Sequence, residues 1–313
     1  MKLVIQIPCF NEAETLPATL AGIPTTIDGI SSISILIIDD GSTDGTAEVA
    51  KKHGVTNIVR NTSNLGLAQS FRRGIDSCLQ LGADVIVNMD GDNQYKGSDI
   101  PELIKPILLK KADVVVGDRD TDSISEFSTL KKFLQRFGSF VLRRLSSTPV
   151  RDATSGFRAF SRDAAIKLTI LSNYTHTHEA ILQARSKNLV FENVCVTVNP
   201  KTRQSRLMTG IRSYLVTSAV SILRVFTMYH PLKIFLSVGL IFMLCGAGLV
   251  GRFIYFYLTA GGAGKIQSLI IAAILLIGGI SIILVGVLAD VIQFNRRLLE
   301  DILERLKRLE LKK

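Results

Sequence analysis

Asp84-Val85-Ile86-Val87-Asn88-Met89-Asp90-Gly91-Asp92-Asn93-Gln94 changes character within a few residues. Its first half is a short, nearly unbroken apolar run rich in valine and isoleucine, as in a strand buried on both faces. Its second half is acidic and turn-forming. Two carboxylates one residue apart, with Gly91 permitting the bend, can hold one hard divalent cation. Oxygen donors suit Mg²⁺ or Mn²⁺, ions that keep waters and bridge to substrate phosphates. Gln94 adds a neutral oxygen nearby. Asp-x-Asp is a common pattern, so its weight comes from what surrounds it.

The same rhythm runs through the first half of the chain. Leu3–Ile7, Ser34–Ile38, Asn57–Arg60, Asp84–Met89 and Asp113–Gly117 read as strands. Thr46–His53, Leu67–Leu81 and Ile100–Lys110 read as the helices between them. Strand alternating with helix predicts an α/β fold with a mostly parallel sheet and crossover helices. In such sheets ligands bind beyond the carboxyl ends of the strands. Polar residues collect there: Pro8-Cys9-Phe10-Asn11-Glu12 after the first strand, Asp39-Asp40-Gly41-Ser42 after the second, and the Asp90 turn. Any one of these could be an ordinary loop or cap. Three acidic clusters on one sheet edge form a candidate site.

The 313 residues carry a formal charge of +10, and composition shifts along them. Met1 leads directly into the first strand, so no signal peptide is expected. Cys9, Cys78, Cys195 and Cys245 lack paired or metal-type spacing, which predicts free thiols in a reducing compartment. Phe127–Leu145 and Leu207–Phe226 place apolar residues at helical spacing opposite Lys and Arg, the pattern of helices lying on an anionic bilayer surface. Two apolar stretches follow within residues 231–289. Ile234–Gly251 is uncharged over roughly 27 Å of helix, and Ser268–Ala289 is long enough to cross as well. The loop between them is short and nearly uncharged, whereas Arg224, Lys233, Arg296 and Arg297 flank the other ends. The positive-inside rule then predicts an integral protein of the cell membrane with its sheet domain and both termini in the cytoplasm. In the tail, residues 290–313, Ile292, Leu299 and Leu306 share one heptad position, and Asn295, Ile302 and Leu309 another. This pattern offers a coiled coil, and with the spans a route to a dimeric or tetrameric homo-oligomer. Nucleic acid is not an expected partner: the basic residues flank membrane helices rather than aromatic stacking platforms.

The chain resembles the family-2 glycosyltransferases, and within them the dolichol-phosphate-mannose-synthase-like group. The matching elements are Pro8-x-x-Asn11-Glu12, Asp39-Asp40-Gly41-Ser42-x-Asp44, Asn64-Leu65-Gly66, Asp90-x-Asp92-x-Gln94, Gly117-Asp118-Arg119, Asp152-x-x-Ser155-Gly156-Phe157-Arg158 and Arg203-x-Ser205-Arg206-Leu207. They span about residues 4–207 in the family's order. The resemblance implies a GT-A-type fold over residues 1–206, a nucleotide-sugar donor of the GDP-mannose or UDP-hexose type, a divalent metal, and a polyprenyl phosphate acceptor such as undecaprenyl or dolichyl phosphate. It implies that Pro8, Asn11, Glu12, Asp39, Asp40, Gly66 and Asp90 bind the donor nucleotide, with Asp39 on the base. Asp90, Asp92 and Gln94 would form the metal site. Arg119, Arg136, Ser139 and Arg203 would grip the acceptor phosphate, and Asp92, Arg119, Arg203 and Arg206 would act in catalysis. Ser155, Gly156 and Glu179 would face the sugar. Arg206 stands where many relatives have lysine; arginine still binds phosphate, with two hydrogen bonds available.

The implied reaction is an inverting transfer giving a polyprenyl-phosphate-linked sugar. A catalytically silent membrane scaffold with the same fold is the alternative, and the intact acidic and arginine motifs argue against it. A processive polysaccharide synthase would carry a Gln-x-x-Arg-Trp element, and this chain has no tryptophan.

Overall fold

The computed structural model describes residues 1–119, 150–169, 177, 179–181, 183, 187–200, 227, 231–261 and 266–311. The expected interfacial helices over 127–146 and 207–230 lie outside these residues, apart from Thr227, as do Arg136, Ser139, Arg203 and Arg206. The chain forms two compact units: Met1–Ile222 together with Leu303–Lys313, and Leu223–Ile302.

The first unit is built on β1 (Lys2–Cys9), α1 (Leu16–Ala21), β2 (Ser32–Asp39), α2 (Thr46–Lys52), β3 (Asn57–Arg60), α3 (Leu67–Gln80), β4 (Val85–Asn88), α4 (Ile100–Leu108), β5 (Val114–Asp118), β6 (Arg158–Ser161), α5 (Arg162–Lys167) and β7 (Phe191–Cys195). The seven strands form one sheet in the order β3-β2-β1-β4-β6-β5-β7. The five strands and three helices read from the sequence all form, because Val and Ile at both faces of β1, β4 and β5 leave no stable alternative to burial between helices. Beyond them the structure adds β6, β7, α1 and α5. β6 runs antiparallel to both neighbours, and all other pairings are parallel.

Two features of this topology position the site. Order reverses at β1, with β2 and β3 to one side and β4 to the other, so the loops after β1 and β4 bound a crevice at the carboxyl edge. β6, being antiparallel, starts where its neighbours end. Its lead-in, residues 152–157, therefore arrives at that same edge. Beneath lies one core of Leu3, Ile5, Ile7, Ile37, Val85, Val87, Leu103, Ile104, Val115 and Phe157.

The last turns of the chain belong to this unit by their contacts. Lys307 pairs with Asp76 of α3 at 2.8 Å, Arg308 with Asp163 of α5 at 2.5 Å, and Glu304 with Lys187 at 3.6 Å.

In the second unit, α6 (Pro231–Ala260) and the greater part of α7 (Ile266–Glu310) are each long and apolar enough to cross a membrane. α7 continues without a break through the boundary expected near residue 289, because no proline or other breaker follows Ala289. The helices meet through small residues. A Cβ on Gly239 would lie 2.8 Å from Gly279 O, one on Gly279 2.9 Å from Gly239 O, and one on Gly246 3.1 Å from Ala272 O. Such backbone approach is how helices associate where no hydrophobic force separates protein from solvent. All four cysteines are free thiols.

Candidate active site at the carboxyl edge of the sheet

The loops after β1 and β2 are laced together. Asn11, at φ 55°, donates its backbone N–H to Ser42 Oγ at 2.9 Å and accepts from Thr43 N–H through Oδ1 at 2.9 Å. Glu12 N–H donates to Thr46 Oγ1 and Ala13 N–H to Asp44 Oδ2, both at 2.9 Å. Asp44 also accepts from Thr46 N–H at 3.0 Å, just ahead of Gly45, the residue that caps α2. Pro8 lies within β1, beside Ile38 of β2.

The adjacent carboxylates Asp39 and Asp40 serve different ends. Asp40 holds the next loop: it accepts from Asn61 Nδ2 at 2.7 Å and from the N–H groups of Leu65 and Gly66 at 2.9 Å each. Gly66 takes φ +89°, a backbone that favours glycine, as α3 begins. Gly41 is obligatory for a second reason, since a Cβ there would fall 2.7 Å from Ser63 C. Asp39 is fully buried. Its Oδ1 accepts from Ser42 N–H at 2.8 Å. Arg60 Nε lies 3.2 Å from its Oδ2, yet that oxygen receives no hydrogen bond among the described residues. A buried acceptor without a hydrogen bond is costly and is a ready partner for a ligand N–H.

Asp90 opens the acidic turn after β4. Burial pushes its carboxyl up and the Asp92 charge adds to this, raising it to about 7 against the opposing pull of Arg119. Asp92 Oδ1 accepts from Gln94 N–H at 3.1 Å, and Asn93 takes φ 58° to close the turn. Thr15 Oγ1 joins Glu12 to this turn, donating within reach of Glu12 Oε2 at 2.8 Å and Gly91 O at 2.9 Å. Two mutually repelling carboxylates with an amide oxygen fit a hard divalent ion. Among the described residues no three His, Cys, Asp or Glu side chains cluster as a complete cage. The donor set thus matches Mg²⁺ or Mn²⁺ sharing its shell with phosphate and water rather than an all-protein site.

Facing this turn is the 152–158 loop. Arg119, just after β5, forms a two-pronged pair with Asp152, Nε to Oδ2 at 2.6 Å and Nη2 to Oδ1 at 3.1 Å, and also donates to Thr154 Oγ1 at 2.8 Å. Arg158 is buried and caps three backbone oxygens at 2.8 Å each, those of Ser155, Thr177 and Ala153. Burial pushes its guanidinium down to about 10, so it remains charged at neutral pH. Ser155 and Glu179 are buried at 0% and 2% exposure. Gly156 touches the Asp90 carboxylate: a Cβ would fall 2.8 Å from Oδ2.

The structure thus brings Asn11, Glu12, Asp39, Asp90, Asp92, Gln94, Arg119, Ser155 and Gly156 to one edge, and engages Asp40 and Gly66 in supporting it. Asn88 and Tyr95 lie outside every motif read from the sequence, which assigns no individual role to the motif members Asp152 and Arg158. A charged residue opening an apolar strand, as Arg158 does in Arg158-Ala159-Phe160, was the available signal for the last.

Residues 4–169 match Glycosyl transferase family 2, and residues 230–293 match the GtrB C-terminal hairpin. Glycosyltransferase AglJ of Haloferax volcanii is 28% identical over 98% of this chain and 96% of its own. The undecaprenyl-phosphate mannosyltransferase of Micrococcus luteus is 27% identical over 67% of this chain and 89% of its own. Glucosyl-3-phosphoglycerate synthase from Mycobacterium tuberculosis, solved with Mn²⁺ and UDP, superposes at a TM-score of 0.53 with 18% identity, covering 72% of this chain and 78% of that one, which shows the shared GT-A-like fold. With the family match covering more than half its length and the acidic edge in place, this chain belongs to the family-2 glycosyltransferases.

Proposed function

We propose that the chain transfers a sugar from a nucleotide-sugar to a polyprenyl phosphate at the cytoplasmic face of a membrane. The observation that carries this reading is a juxtaposition. A buried Asp39 oxygen that, though ion-paired with Arg60, accepts no hydrogen bond among the described residues and an Asp90–Asp92 turn suited to a cation share one sheet edge, in a chain that continues into two apolar helices. The names of relatives add the acceptor: undecaprenyl phosphate in Micrococcus luteus, and dolichyl phosphate in a Methanococcus voltae N-acetylglucosaminyltransferase 27% identical over 66% of this chain.

In this reading Asp39 takes an N–H of the base, with Asn11 and Glu12 shaping the pocket wall and Asp40 fixing it through Gly66. Asp90, Asp92 and Gln94 hold the divalent ion, which when bound stabilises the departing diphosphate as a Lewis acid. A phosphate oxygen of the acceptor forms the new bond to the anomeric carbon as the bond to the donor diphosphate breaks, with inversion. The acceptor phosphate, with a second pKa of about 6, is already mostly dianionic, so the protein need not supply a strong base. Arg119, Arg136, Ser139, Arg203 and Arg206 screen and orient the two phosphate groups, and Glu179 with Ser155 borders the sugar.

The test incubates the full chain in detergent with a panel of GDP- and UDP-sugars and with undecaprenyl or dolichyl phosphate. Labelled sugar is expected in the lipid phase, lost with EDTA, restored by Mn²⁺ or Mg²⁺, and absent in Asp92→Asn. Asp39→Asn is expected to weaken nucleotide binding. Product confined to the aqueous phase would overturn the acceptor. Nucleotide binding without turnover on any lipid would favour the scaffold reading.

A further inference from the structure

Two side chains that flank the acidic turn reach across to the facing loop. Asn88 is the last residue of β4 and fully buried. Its Nδ2 donates to Gly156 O at 2.7 Å, while its Oδ1 accepts from Gln6 Nε2 of β1 at 2.8 Å. Tyr95, 1% exposed, follows the turn. Its hydroxyl accepts from Gly156 N–H at 3.2 Å and lies 3.4 Å from Ser155 Oγ. Its ring stacks on Phe157, centroids 5.0 Å apart and planes at 28°, and the Arg119 guanidinium carbon sits 6.0 Å from its centre. Both backbone polar groups of Gly156 are therefore held by the segment that carries Asp90.

That grip has a consequence for Asp90. A Cβ on Gly156 would fall 2.8 and 2.9 Å from the two carboxylate oxygens, so the bare glycine backbone forms the wall on which the carboxylate rests. If the Gly156 peptide moves, the wall moves. We propose that Asn88 and Tyr95 are positioning residues: they fix the Gly156 peptide against Asp90 and so hold that carboxylate in the orientation that, with Asp92, receives the divalent ion. The inference rests on the reading of Asp90 and Asp92 as the cation-binding pair. It adds a supporting shell of the kind that commonly tunes metal affinity by about 10- to 100-fold.

The experiment measures Mn²⁺ affinity by the loss of the free-ion spin-resonance signal. It uses the full chain in detergent, in the presence of UDP or GDP, whichever the unaltered chain binds. Metal-free nucleotide affinity and thermal midpoint are taken alongside. Tyr95→Phe keeps the ring and its stacking on Phe157 while removing the hydroxyl. It is expected to weaken Mn²⁺ binding about tenfold, with metal-free nucleotide affinity unchanged and the midpoint within a few degrees. Gly156→Ala, which pushes a methyl into the carboxylate, is expected to weaken Mn²⁺ further, again sparing metal-free nucleotide. Unaltered Mn²⁺ affinity in either folded variant overturns the positioning role, as does an equal loss of metal-free nucleotide affinity. Asp92→Asn distinguishes the two levels: if it retains full Mn²⁺ affinity, the cation pair itself is misassigned; if it loses the ion while Tyr95→Phe does not, only the positioning role falls.

Discussion

Asp152 shows how one residue can organise a site without touching a substrate. Its carboxylate is buried, 1% exposed, and takes both prongs of Arg119. Burial pushes its carboxyl up, but the Arg119 charge and hydrogen bonds, with those of Thr154, outweigh this and hold it below the ordinary carboxylate range. A carboxyl depressed in the folded state contributes stability that is complete above its unfolded value of about 3.9 and is lost as pH falls through the folded value. Asp152→Asn removes the counter-charge and leaves a guanidinium buried. The expected cost is about 3–5 kcal/mol at neutral pH. Between pH 7 and pH 3 the variant's thermal midpoint should fall less than that of the unaltered chain; an equal fall in both would show that this pair does not contribute to acid sensitivity. The sequence made Arg119 legible as a basic residue in a motif, but not that Asp152 would occupy it. The Asp39-Asp40 pair was equally ambiguous. Its position at a strand end marks an acidic edge, whereas which carboxylate turns to the loop and which retains an unfilled acceptor depends on where Asn61 and Gly66 arrive in three dimensions.

At the scale of elements, period was easier to read than partner. Buried parallel strands declare themselves by unbroken Val and Ile, so β1 to β5 were legible within a residue or two. β6 was not, because Arg158 interrupts the apolar run, and its compensation by the carbonyls of Ala153, Ser155 and Thr177 appears only in three dimensions. In α7 the sequence shows a seven-residue apolar repeat at Ile292, Leu299 and Leu306. The structure leaves these exposed and instead buries a seven-residue series one position further along: Ala272, Gly279, Gly286, Gln293 and Glu300. Small residues form the hairpin seam because close approach of the two backbones, rather than apolarity, holds membrane helices together. Gly279→Leu should therefore separate α6 from α7, since even a Cβ meets Met243 Cγ at 2.8 Å and Gly239 O at 2.9 Å. Gly248→Leu and Gly251→Leu, where a Cβ would meet nothing within 4 Å among the described residues, serve as matched controls of equal added bulk. Size-exclusion recovery and thermal midpoint in detergent are expected to drop for Gly279→Leu and to hold for the controls. Equal losses in all three would place the tight contact elsewhere.

For the whole molecule, the proposed reaction stands or falls on which side of the membrane the acidic edge occupies, because nucleotide-sugars of the cytosol reach only one face. The argument is one of charge. The connection between α6 and α7, Thr259–Lys265, carries a single charged residue, Lys265, whereas Arg224, Lys233, Arg296 and Arg297 border the other ends. Cationic flanks are retained in the cytoplasm, so the proposed reading has the connection outside and the sheet inside. α6 has 30 residues, about 45 Å of helix at 1.5 Å per residue, against a hydrocarbon core of about 30 Å. It therefore reaches beyond the apolar layer and can present the aromatic run Phe253–Tyr257 near its outer boundary. The native thiols supply part of the test: Cys9 and Cys78 are buried and Cys195 is exposed at the end of β7. In intact cells a membrane-impermeant maleimide is expected to label Gly262→Cys, and to leave both Thr62→Cys and Cys195 unmodified until the membrane is permeabilised. Labelling of Thr62→Cys and Cys195 before permeabilisation, with position 262 protected, would invert the topology. Cytosolic nucleotide-sugars would then be out of reach of Asp39 and Asp90, and the donor would have to come from the opposite compartment.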